Sequence, residues 1–546
     1  MNTGASRARR LAVMLPCVAV SVVLWRQYSR LEVPWVALGW VALVPWLWVL
    51  DRARTLREAF WAGLAQDVAF TLVVFSWFPE ALHGFAQTPL SALWLGLLVL
   101  SPLMQPQFVT FALARHVARR RSPEGAFWLP ALIGALVYVG TEWLVPKLFA
   151  DTLGQGLYAS VHLRQGADLA GAHGLTLLLL ISNECVLAAG RALSSREERR
   201  RALAPVAVLA ALLVGGFGYG AWRLRQVEEQ TQPGRELVVG AVQANITKYE
   251  KLAAEMGTYA VVRMVLDTHY ALSDELLQQG EVDLLVWPET VYPTTFGAPK
   301  SEAGAELDAE ISAFVAQRQV PLIFGAYDVE GEREYNAAMF LGPREDGRLE
   351  LDTYRKVMLF PLTEWLPEPL DTPWVRQWLP WAGTWKRGPG AKAVPIQLRG
   401  GRPITLAPLI CYDTLFPGHV AEAVRQGAEL IVTLSNDSWF SGTPAPKLHL
   451  MHAAFRSIET RRPQVRVTNS GISALISPTG ELLAEMADGQ RLHQALKVPR
   501  MERMPTLMVA WGDWLGPVAL GLAALLLLLP SLAPRRKASP GLVPLG

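Results

Sequence analysis

Three polar residues stand directly after apolar, strand-like segments in the second half of the chain. Glu289 follows VDLLVW, Lys356 follows a strand-like stretch in TYRKVMLF, and Cys411 follows ITLAPLI. In open α/β sheets, side chains at strand ends line the crevice where ligands bind. The sequence therefore predicts that a carboxylate, an ammonium group and a thiol meet in one site.

These three side-chain types complement one another in nucleophilic catalysis. A thiol reacts as its thiolate, so its proton must be removed or its pKa lowered. Glu289 can accept that proton and later deprotonate an amine or water. Lys356 and a backbone N–H after the cysteine can stabilise an oxyanion, and a helix beginning after Cys411 would favour the thiolate. A lone glutamate at a strand end is usually only solvated, so the combination carries the prediction.

The elements expected to position these residues lie between Glu236 and about Val498. Short β-branched runs alternate there with longer amphipathic stretches, which is typical of a layered α/β domain. The predicted strands cover 237–243, 282–287, 321–326, 404–410, 429–434, 465–468 and 472–476. The predicted helices cover 250–279, 304–317, 414–427 and 446–461.

The composition indicates that part of the chain lies in a membrane. Of 546 residues, 51% are hydrophobic, and the mean hydropathy is +0.22, which is high for a soluble protein. The net charge of +3 argues against a nucleic-acid partner. Among the three cysteines, Cys17 and Cys185 lie in apolar runs, which is typical of buried structural cysteines. An odd number cannot pair completely within one chain, so a disulfide framework is not expected.

Eight apolar runs are long enough for membrane helices, since about 20 such residues cross the hydrocarbon core. They cover 11–28, 33–50, 59–79, 90–114, 127–146, 168–190, 203–223 and 507–533. Arginine-rich segments alternate with cation-poor loops, and the positive-inside rule then places both termini in the cytoplasm. The predicted organisation is a seven-helix bundle at 1–225, a periplasmic catalytic domain at 226–505, and a last span with a cytoplasmic tail at 506–546.

The cations that set this orientation occur in five groups. They are Arg7, Arg9 and Arg10; Arg52, Arg54 and Arg57; Arg115, Arg119, Arg120 and Arg121; Arg191, Arg196, Arg199, Arg200 and Arg201; and Arg535, Arg536 and Lys537. When eight spans are counted, all five groups of cations fall on the same side of the membrane. The segment after the seventh span then lies on the far side of the membrane, which in a Gram-negative cell is the periplasm, so the predicted location in such a cell is the inner membrane.

The segments around the three reactive residues resemble a known superfamily. VWPET, YRKVMLFPLTEWLP and LICYDTLFP are similar to the three motif blocks of the nitrilase superfamily, whose members have an αββα sandwich and a Glu-Lys-Cys triad. From about residue 10 to 533 the chain resembles bacterial apolipoprotein N-acyltransferases, which share AVQANI, EYNAAMFLGP, SNDSWF and RRPQVRVTNSG. The resemblance implies an αββα domain, inserted in an all-α membrane bundle, with Glu289 as general base, Lys356 as oxyanion lysine and Cys411 as nucleophile.

The resemblance also assigns supporting positions. Glu364 matches a second, supporting glutamate, and Tyr412 matches the tyrosine that follows the nucleophile. Asp413 stands where the family usually has glutamate, so its role is open, and Thr363 replaces the usual glycine before the second glutamate. Three further residues either line the pocket or form a turn that caps the next helix: Asn436, Asp437 and Trp439.

The activity implied by the resemblance is acyl transfer between lipids. Cys411 would take a fatty acyl chain from a phospholipid, expected to be phosphatidylethanolamine, and pass it to the α-amino group of a diacylglyceryl-cysteine lipoprotein. Neither a cofactor nor a metal is implied. The same triad is compatible with a membrane-tethered amidohydrolase, and a non-catalytic membrane scaffold is a third alternative. All three triad positions are occupied by the expected residues, which argues against a non-catalytic scaffold. A simple hydrolase of soluble amides would not require eight membrane spans.

Several other residues leave two interpretations open. Three acidic residues in predicted spans are candidates for function: Asp67, Glu142 and Glu184. In the alternative interpretation, Glu142 lies near a membrane interface and the other two bond to neighbouring helices. His449 and His452 have helical spacing, but a metal site would need more ligands. Five tryptophans after Glu364 either enter the outer leaflet or pack over the domain: Trp365, Trp374, Trp378, Trp381 and Trp385.

Overall fold

The computed structural model describes residues 3–86, 88–122, 127–194, 199–247, 249–344 and 346–528. The predicted cations of the C-terminal tail, Arg196, and the last five residues of the predicted eighth span lie outside these ranges. Helices occupy most of the chain up to Gln230, and the strands begin at Thr231.

Within the described residues, the first part of the chain has nine α-helices, joined by 3-10 helices at Val33–Trp40, Leu153–Ala159, Leu163–Gly166 and Arg199–Ala202. Helix α8 bends at Ala170 and Gly171, where the backbone leaves helical geometry. The nine helices are α1 (Thr3–Tyr28), α2 (Val44–Leu50), α3 (Leu56–Val74), α4 (Phe78–Ala86), α5 (Leu90–Met104), α6 (Gln107–Arg121), α7 (Trp128–Leu144), α8 (Ala167–Ser194) and α9 (Leu203–Gln230).

Four helical segments of the described chain are long and apolar enough to cross a membrane: Val33–Leu50, Leu90–Arg121, Leu163–Ser194 and Arg199–Gln230. A fifth results if Leu56–Val74 and Phe78–Gly84, which meet at 47°, form one bent span. Shorter apolar helices cover Ala12–Tyr28, Trp128–Leu144 and Leu515–Leu528. Each predicted run overlaps one of these helices, which confirms the apolar helical region, whereas the number of eight spans stays a prediction.

The arginine-rich loops meet at one end of the helical region. Arg115 Nη1 lies 2.9 Å from Asp51 Oδ1, and Arg120 Nη2 donates to the carbonyl of Arg54 at 2.7 Å. Arg191 pairs with Asp51 as well. The loops after α2, α6 and α8 therefore share one side of the molecule.

Two of the acidic residues in the predicted spans are engaged with neighbouring helices. Glu184 on α8 pairs with Arg115 on α6, where Arg115 Nη2 donates to Oε2 at 2.9 Å. Asp67 on α3 accepts from the backbone N–H of Gln105 at 3.1 Å. Buried charges are stable when they are paired and hydrogen-bonded, so the ion pair supports the structural interpretation of Glu184. Asp67 has no ion pair within the described residues, and its Oδ2 is buried there without a hydrogen bond.

Thirteen strands and eight further α-helices follow in the part of the chain that the structure describes. The helices are α10 (Tyr249–Met256), α11 (Thr258–Gln279), α12 (Glu302–Arg318), α13 (Pro373–Trp378), α14 (Pro417–Arg425), α15 (Ala445–Thr460), α16 (Leu507–Trp511) and α17 (Leu515–Leu528). The strands are β1 (Thr231–Gln243), β2 (Leu284–Val286), β3 (Tyr292–Thr295), β4 (Leu322–Glu330), β5 (Arg333–Pro343), β6 (Leu349–Arg355), β7 (Val394–Gln397), β8 (Pro403–Ile410), β9 (Leu430–Ser435), β10 (Gln464–Thr468), β11 (Ser473–Ile476), β12 (Leu482–Met486) and β13 (Leu492–Met501).

The strands form two sheets. The first has the order β13-β1-β2-β4-β5-β6, with β3 beside β4, and the second has the order β12-β11-β10-β9-β8-β7. The neighbours β1, β2 and β4 run parallel, as do β8, β9 and β10. Parallel strands are normally covered on both faces, which agrees with their nearly continuous apolar sequences.

The two sheets pack face to face, with helices on their outer faces. Val239 and Ile323 of the first sheet share a buried apolar cluster with Val432 and Val465 of the second. Helices α11 and α12 cover the outer face of the first sheet, and α14 covers part of the second. This four-layer arrangement confirms the predicted α/β class and its sandwich.

The catalytic region is fixed to the helical region by buried polar contacts. Arg461 Nη2 donates to Asp168 Oδ2 at 2.8 Å, and Arg164 Nε donates to the carbonyl of Thr479 at 2.9 Å. Both arginines are buried, so these contacts are shielded from water and salt. The site described next therefore has a defined position relative to the membrane helices.

Candidate active site

The three residues singled out in the sequence meet between the two sheets. Glu289 follows β2, Lys356 follows β6, and Cys411 follows β8. Lys356 Nζ lies 3.1 Å from Glu289 Oε1 and 2.7 Å from Glu364 Oε1. Lys356 is 1% exposed, so its ammonium group is held by two carboxylates rather than by water.

Asn336 on β5 completes this arrangement, and the motif analysis did not single it out. Its side-chain amide donates to Glu289 Oε1 at 2.8 Å and to Glu364 Oε1 at 3.3 Å. Glu364 Oε2 accepts from the backbone N–H of Phe360 at 2.7 Å. The block EYNAAMFLGP contained this residue, but nothing local distinguishes it from an ordinary strand asparagine.

The loop that carries Glu289 is tightly constrained. Thr290 has φ +57°, and the N–H of Gly325 on β4 donates to the carbonyl of Pro288 at 3.0 Å. A Cβ at position 325 would lie 2.3 Å from the backbone nitrogen of Thr290. Only glycine permits this approach, so the pairing of β2 with β4 fixes the base.

The charges of the site prepare it for proton transfer. Burial raises the pKa of Glu289 and Glu364 raises it further, while Lys356 opposes both. Although burial alone would lower the pKa of Lys356, the two glutamates hold it well above its usual value. Burial and the Glu289 charge raise the pKa of Cys411, with Lys356 opposing. The resting thiol is therefore neutral, and a carboxylate of raised pKa stands beside it as the base.

Cys411 occupies a sharp turn between β8 and a 3-10 helix at Cys411–Leu415. Its φ is +48°, a left-handed conformation that costs a non-glycine residue about 1 kcal/mol or more. The 3-10 helix begins at the cysteine itself, and α14 begins only at Pro417. The helical structure predicted over 414–427 is therefore split, and the short turn rather than a long helix follows the thiol.

Asp413 stabilises this turn. Its Oδ2 accepts from Tyr354 Oη at 2.9 Å and from the N–H of Ile410 at 3.0 Å. Its Oδ1 accepts from the N–H groups of Met358, at 2.7 Å, and Val357, at 3.3 Å. The aspartate is fully buried. It thus ties the segment after Lys356 to the turn that carries the cysteine, and within the described residues none of its hydrogen bonds is to a triad side chain.

Tyr412 connects the turn to the helical region. Its hydroxyl donates to the carbonyl of Leu148, in the segment after α7, at 2.7 Å. Its ring packs edge-to-face on Phe360 and Phe416. The residue after the thiol is thus anchored on the membrane helices.

The three residues predicted as a pocket or a turn have separate positions. Asn436 Oδ1 accepts from the N–H of Ser438 at 3.3 Å, within the turn that leads into the 3-10 helix Ser438–Phe440. Asp437 is buried, and Arg466 Nη2 donates to its Oδ2 at 2.8 Å. Trp439 packs on Phe360, which is itself beside Tyr412. Only the tryptophan faces the aromatic wall of the site.

Arg466 and His449 hold Asp437 ionised. Although burial alone would raise the pKa of Asp437, these two neighbours keep it well below its usual range. A Cβ at Gly471 would lie 2.3 Å from Asp437 Oδ2, so glycine is required there as well. The sulfur of Cys411 and ligand atoms of Asp437 and His449 lie within 4.8 Å of one another. Since Arg466 already donates to Asp437 and His449, the set fits a hydrogen-bond network better than a cation site.

His452 lies one turn further along α15. Its Nδ1 accepts from Gln155 of the helical region at 2.9 Å. Burial and the neighbouring Arg456 hold the pKa of His452 well below its usual value. The two histidines therefore have different partners and do not meet at one ligand.

A cavity of about 570 Å³ lies beside this site. Trp365 and Tyr412 form part of its wall. Glu142 on α7 and Lys147, in the segment after α7, form another part. Glu142 is thus at the edge of the helical region, where Lys147 Nζ lies 3.1 Å from its Oε1. Arg456 also faces the cavity, and its Nε makes no hydrogen bond within the described residues. The cavity combines apolar and charged walls.

The five tryptophans after Glu364 divide into two groups. Trp365 donates to the carbonyl of Leu359 at 3.1 Å, and Trp385 packs on Tyr327. In contrast, Trp374 and Trp378 on α13 are each 68% exposed, and Trp381 is 39% exposed. We call residues 368–381 the tryptophan segment. Large exposed aromatic side chains are unusual on a soluble surface and typical of contact with lipid or protein.

Two protein families match this chain. A carbon-nitrogen hydrolase family matches residues 238–497. The N-terminal domain family of apolipoprotein N-acyltransferases matches residues 10–185. The first match covers the two sheets and the triad, and it supports the nitrilase-like fold. The second match covers most of the helical region.

Curated relatives span nearly the whole chain. The apolipoprotein N-acyltransferase of Azotobacter vinelandii is 30% identical over 494 residues, which are 86% of each protein. That of Allorhizobium ampelinum is 30% identical over 461 residues, 80% of this chain and 81% of the relative. That of Bdellovibrio bacteriovorus is 28% identical over 495 residues, 88% of this chain and 87% of the relative.

A solved amidase from Nesterenkonia sp. is 18% identical and has a TM-score of 0.36. It aligns with 54% of this chain and 97% of its own. The relatives match the helical and the catalytic regions together, and the apolar helices agree with a membrane protein. The chain therefore belongs to the apolipoprotein N-acyltransferase family.

Proposed function

We propose that this protein is a phospholipid:apolipoprotein N-acyltransferase that works through a thioester on Cys411. The observation that carries the proposal is the buried set of Glu289, Lys356 and Cys411 on a turn anchored to apolar helices. A lipid-anchored donor and acceptor require chemistry beside a bilayer. The relatives' names give the acceptor as an apolipoprotein.

In the first half-reaction, Glu289 takes the thiol proton of Cys411 while the sulfur attacks the ester carbonyl of a phospholipid. Lys356 and the backbone N–H of Tyr412 stabilise the tetrahedral oxyanion. When this intermediate collapses, the C–O bond breaks and Glu289 returns the proton to the leaving alcohol. The products are a thioester and a lysophospholipid.

In the second half-reaction, the α-amino group of a diacylglyceryl-cysteine attacks the thioester. Glu289 accepts a proton from the nitrogen, the C–S bond breaks, and the thiol of Cys411 is restored by that proton. The product is an amide-linked third acyl chain. Glu364 and Asn336 support both steps, because they hold Lys356 and Glu289 in place.

The surroundings of the triad suit a donor that stays in the membrane. The cavity beside Tyr412 has space for a polar head group, such as that of phosphatidylethanolamine, and its wall includes both acidic and basic side chains. The exposed tryptophan segment supplies side chains that favour a membrane interface. The proposed partners are therefore a phospholipid donor and a diacylglyceryl lipoprotein.

The proposed location is the inner membrane, with eight spans, both termini in the cytoplasm and the catalytic domain in the periplasm. The convergence of the arginine-rich loops at one end supports this orientation. Tyr412 contacts Leu148, in the segment that follows α7. In this proposal that segment lies on the periplasmic side, together with the catalytic domain. We retain the division into a bundle at 1–225, a catalytic domain at 226–505 and a last span with its tail at 506–546.

Intact-mass analysis tests the first half-reaction. The purified protein is incubated with phosphatidylethanolamine, beside Cys411→Ser and the matched control Cys185→Ala. We expect an added acyl mass that hydroxylamine removes, in the parent and in Cys185→Ala only. A diacyl lipopeptide should then discharge the thioester and gain the acyl chain.

Two outcomes would favour the alternatives. If the folded protein gains no acyl mass but releases ammonia from small amides without lipid, it is a membrane-tethered amidohydrolase. If Cys411→Ala complements loss of the native protein in cells, the role is non-catalytic and the acyl-transfer proposal fails. The Cys185→Ala control separates these results from general damage to the protein.

A further inference from the structure

A buried hydrogen-bond network lies behind Cys411 and takes no part in the proton transfers described above. His449 on α15 places its Nε2 3.2 Å from the carbonyl oxygen of Cys411. Its Nδ1 lies 3.1 Å from Asp437 Oδ1 and 3.1 Å from Arg466 Nη2. The imidazole therefore connects the backbone of Cys411 with a buried ion pair.

The partners of the ring determine where its proton lies. A backbone carbonyl oxygen can only accept a hydrogen bond, so Nε2 must carry a proton. In the neutral ring, Nδ1 then accepts from Arg466, and in the charged ring it donates to Asp437. His449 donates to the carbonyl of Cys411 in both cases.

That hydrogen bond acts on the Cys411–Tyr412 peptide, which follows a strained backbone conformation at Cys411. Cys411 has φ +48°, and the Cys411–Tyr412 peptide is planar and trans, so its C=O and N–H point in opposite directions. When His449 holds the C=O, the N–H of Tyr412 is directed away from α15. The first N–H groups of a helix have no partner in its own ladder, which leaves this one suited to an oxyanion.

The Asp437 carboxylate that contacts the His449 ring is itself held by two hydrogen bonds. Arg466 Nη2 donates to Asp437 Oδ2 at 2.8 Å, and Ser435 Oγ donates to Asp437 Oδ1 at 2.9 Å. Arg466 is fully buried and Asp437 almost so. The pair therefore has no competing solvent, and the orientation of His449 is fixed before a substrate arrives.

We propose that His449, backed by Asp437 and Arg466, is a positioning residue that aims the Tyr412 N–H at the developing oxyanion. Its imidazole lies within 4.8 Å of the Cys411 sulfur, but its hydrogen bonds go to the Cys411 carbonyl, Asp437 and Arg466. This role rests on the proposed acyl transfer for its reaction, but the geometry applies to attack on any acyl carbonyl. Asp437, expected either to line the pocket or to form a turn, thereby acts through His449.

The test compares His449→Ala and His449→Gln with the parent and with His493→Ala, a histidine on β13. Removing one oxyanion donor typically costs a factor of about 100 or more in kcat. We expect this loss for His449→Ala, with an unchanged KM. The glutamine amide can reach the position of Nε2 and donate, so His449→Gln should be about tenfold more active than the alanine variant. His493→Ala should retain the parental kcat.

A second measurement excludes a general loss of structure. Alkylation of Cys411 by iodoacetamide forms no oxyanion, so its rate should be the same in the parent and in both His449 variants. A parental kcat in His449→Ala would overturn the proposal. Alkylation that slows in parallel with acyl transfer would overturn it too, because His449 would then act on the thiol.

The experiment also separates this proposal from the proposed function. If the parent forms no acyl-enzyme from phospholipid, the same comparison is made with p-nitrophenyl butyrate, whose cleavage by a thiol also passes through an oxyanion. A selective kcat loss in His449→Ala on that ester supports the positioning role without lipid transfer. If His449→Ala and the parent have the same kcat on that ester, the positioning role of His449 is refuted.

Discussion

The triad and the tryptophan segment are neighbours along the chain but are built in opposite ways. Lys356 is 1% exposed and holds two carboxylates, whereas Trp374 and Trp378 are each 68% exposed. In the triad, low exposure strengthens every charge–charge contact. In the tryptophan segment, large apolar side chains are left exposed. The difference indicates that bond chemistry depends on fixed geometry and that lipid contact depends on an available surface.

The aromatic residues beside the triad pack on one another, and Trp374 and Trp378 pack on each other. Phe360 follows Lys356 and precedes Glu364, and its ring packs on Tyr412 and Trp439. A change confined to one region should therefore alter one kinetic constant: kcat for the triad and KM for the tryptophan segment. The following predictions use that separation, from the largest expected effect to the smallest.

Replacing Glu289 by glutamine should give the largest loss. Glutamine keeps the size of the side chain and an oxygen for Lys356, but it cannot accept the thiol proton. Positioned acid–base groups contribute a factor of about 10² to 10⁴, so kcat should fall by roughly 10³ with little change in KM. Rates of acyl-enzyme formation measure this. An equal rise of KM would contradict the division between the two regions.

Replacing Asp413 by alanine should destabilise the catalytic region. Four donors, two of them in fully buried hydrogen bonds, would lose their acceptor, and a hydrogen bond to a charged group contributes about 1.5–3 kcal/mol. We expect a loss of about 3 kcal/mol or more, seen as a lower unfolding temperature in detergent. Glu422→Ala, on the exposed side of α14, serves as the control. Parental stability of Asp413→Ala would show that the turn is held by other contacts.

The pH dependence should reveal the charge of Glu364. The pKa of Glu289 is raised, so activity should fall with decreasing pH at a value above the usual carboxyl pKa of about 4.3, as the base becomes protonated. Because Glu364 raises that pKa, Glu364→Gln should move the acidic limb of kcat/KM to lower pH. A shift to higher pH, or none, would show that Glu364 does not act through the Glu289 charge.

The double variant Trp374→Ser, Trp378→Ser should act on lipid capture alone. Loss of exposed aromatic surface weakens membrane contact by about 1–2 kcal/mol, so KM for phospholipid in vesicles should rise about tenfold. The kcat should stay at the parental value, and so should KM for a short-chain soluble ester. Trp385→Phe, at a packed tryptophan, is the comparison. A lower kcat would indicate that the segment supports the triad structurally.

Tyr412→Phe should have the smallest effect. It removes one hydrogen bond, to the carbonyl of Leu148, while the ring still packs on Phe360. Such a bond contributes about 1 kcal/mol, so kcat/KM should fall about fivefold. A loss as large as that of Glu289→Gln would mean that the hydroxyl takes part in the chemistry.

Much of the fold was predictable from apolar patterning. The parallel strands β1, β2, β4, β8, β9 and β10 are buried, and each overlaps a predicted strand. The predicted strands omit β3, β5, β7, β12 and β13, and β6 was recognised only as the strand-like stretch before Lys356. The sequences of β12 and β13 are mixed and partly exposed, and such sequences give a weak signal. The predicted helix over 250–279 is two helices, separated at Gly257 with φ +90°, since a continuous amphipathic pattern does not report a single left-handed residue.

The positions of the reactive residues were predictable, and their partners were not. Glu289, Lys356 and Cys411 follow strands whose ends meet. Asn336 and His449 gave no comparable signal, because an asparagine in a strand and a histidine on a helix are common without function. Their roles depend on contacts across 47 and 38 residues of chain.

The sequence by itself determined which segments are apolar helices, which strands are buried, and which three side chains are the candidates for the proposed acyl transfer. These properties follow from local composition, from periodicity and from the residues that end each strand. Only the tertiary structure decided that Cys411 is left-handed, that Asp413 holds the turn, and that Asp437 acts through His449. Such assignments depend on distances between segments far apart in the chain, and no local pattern encodes them.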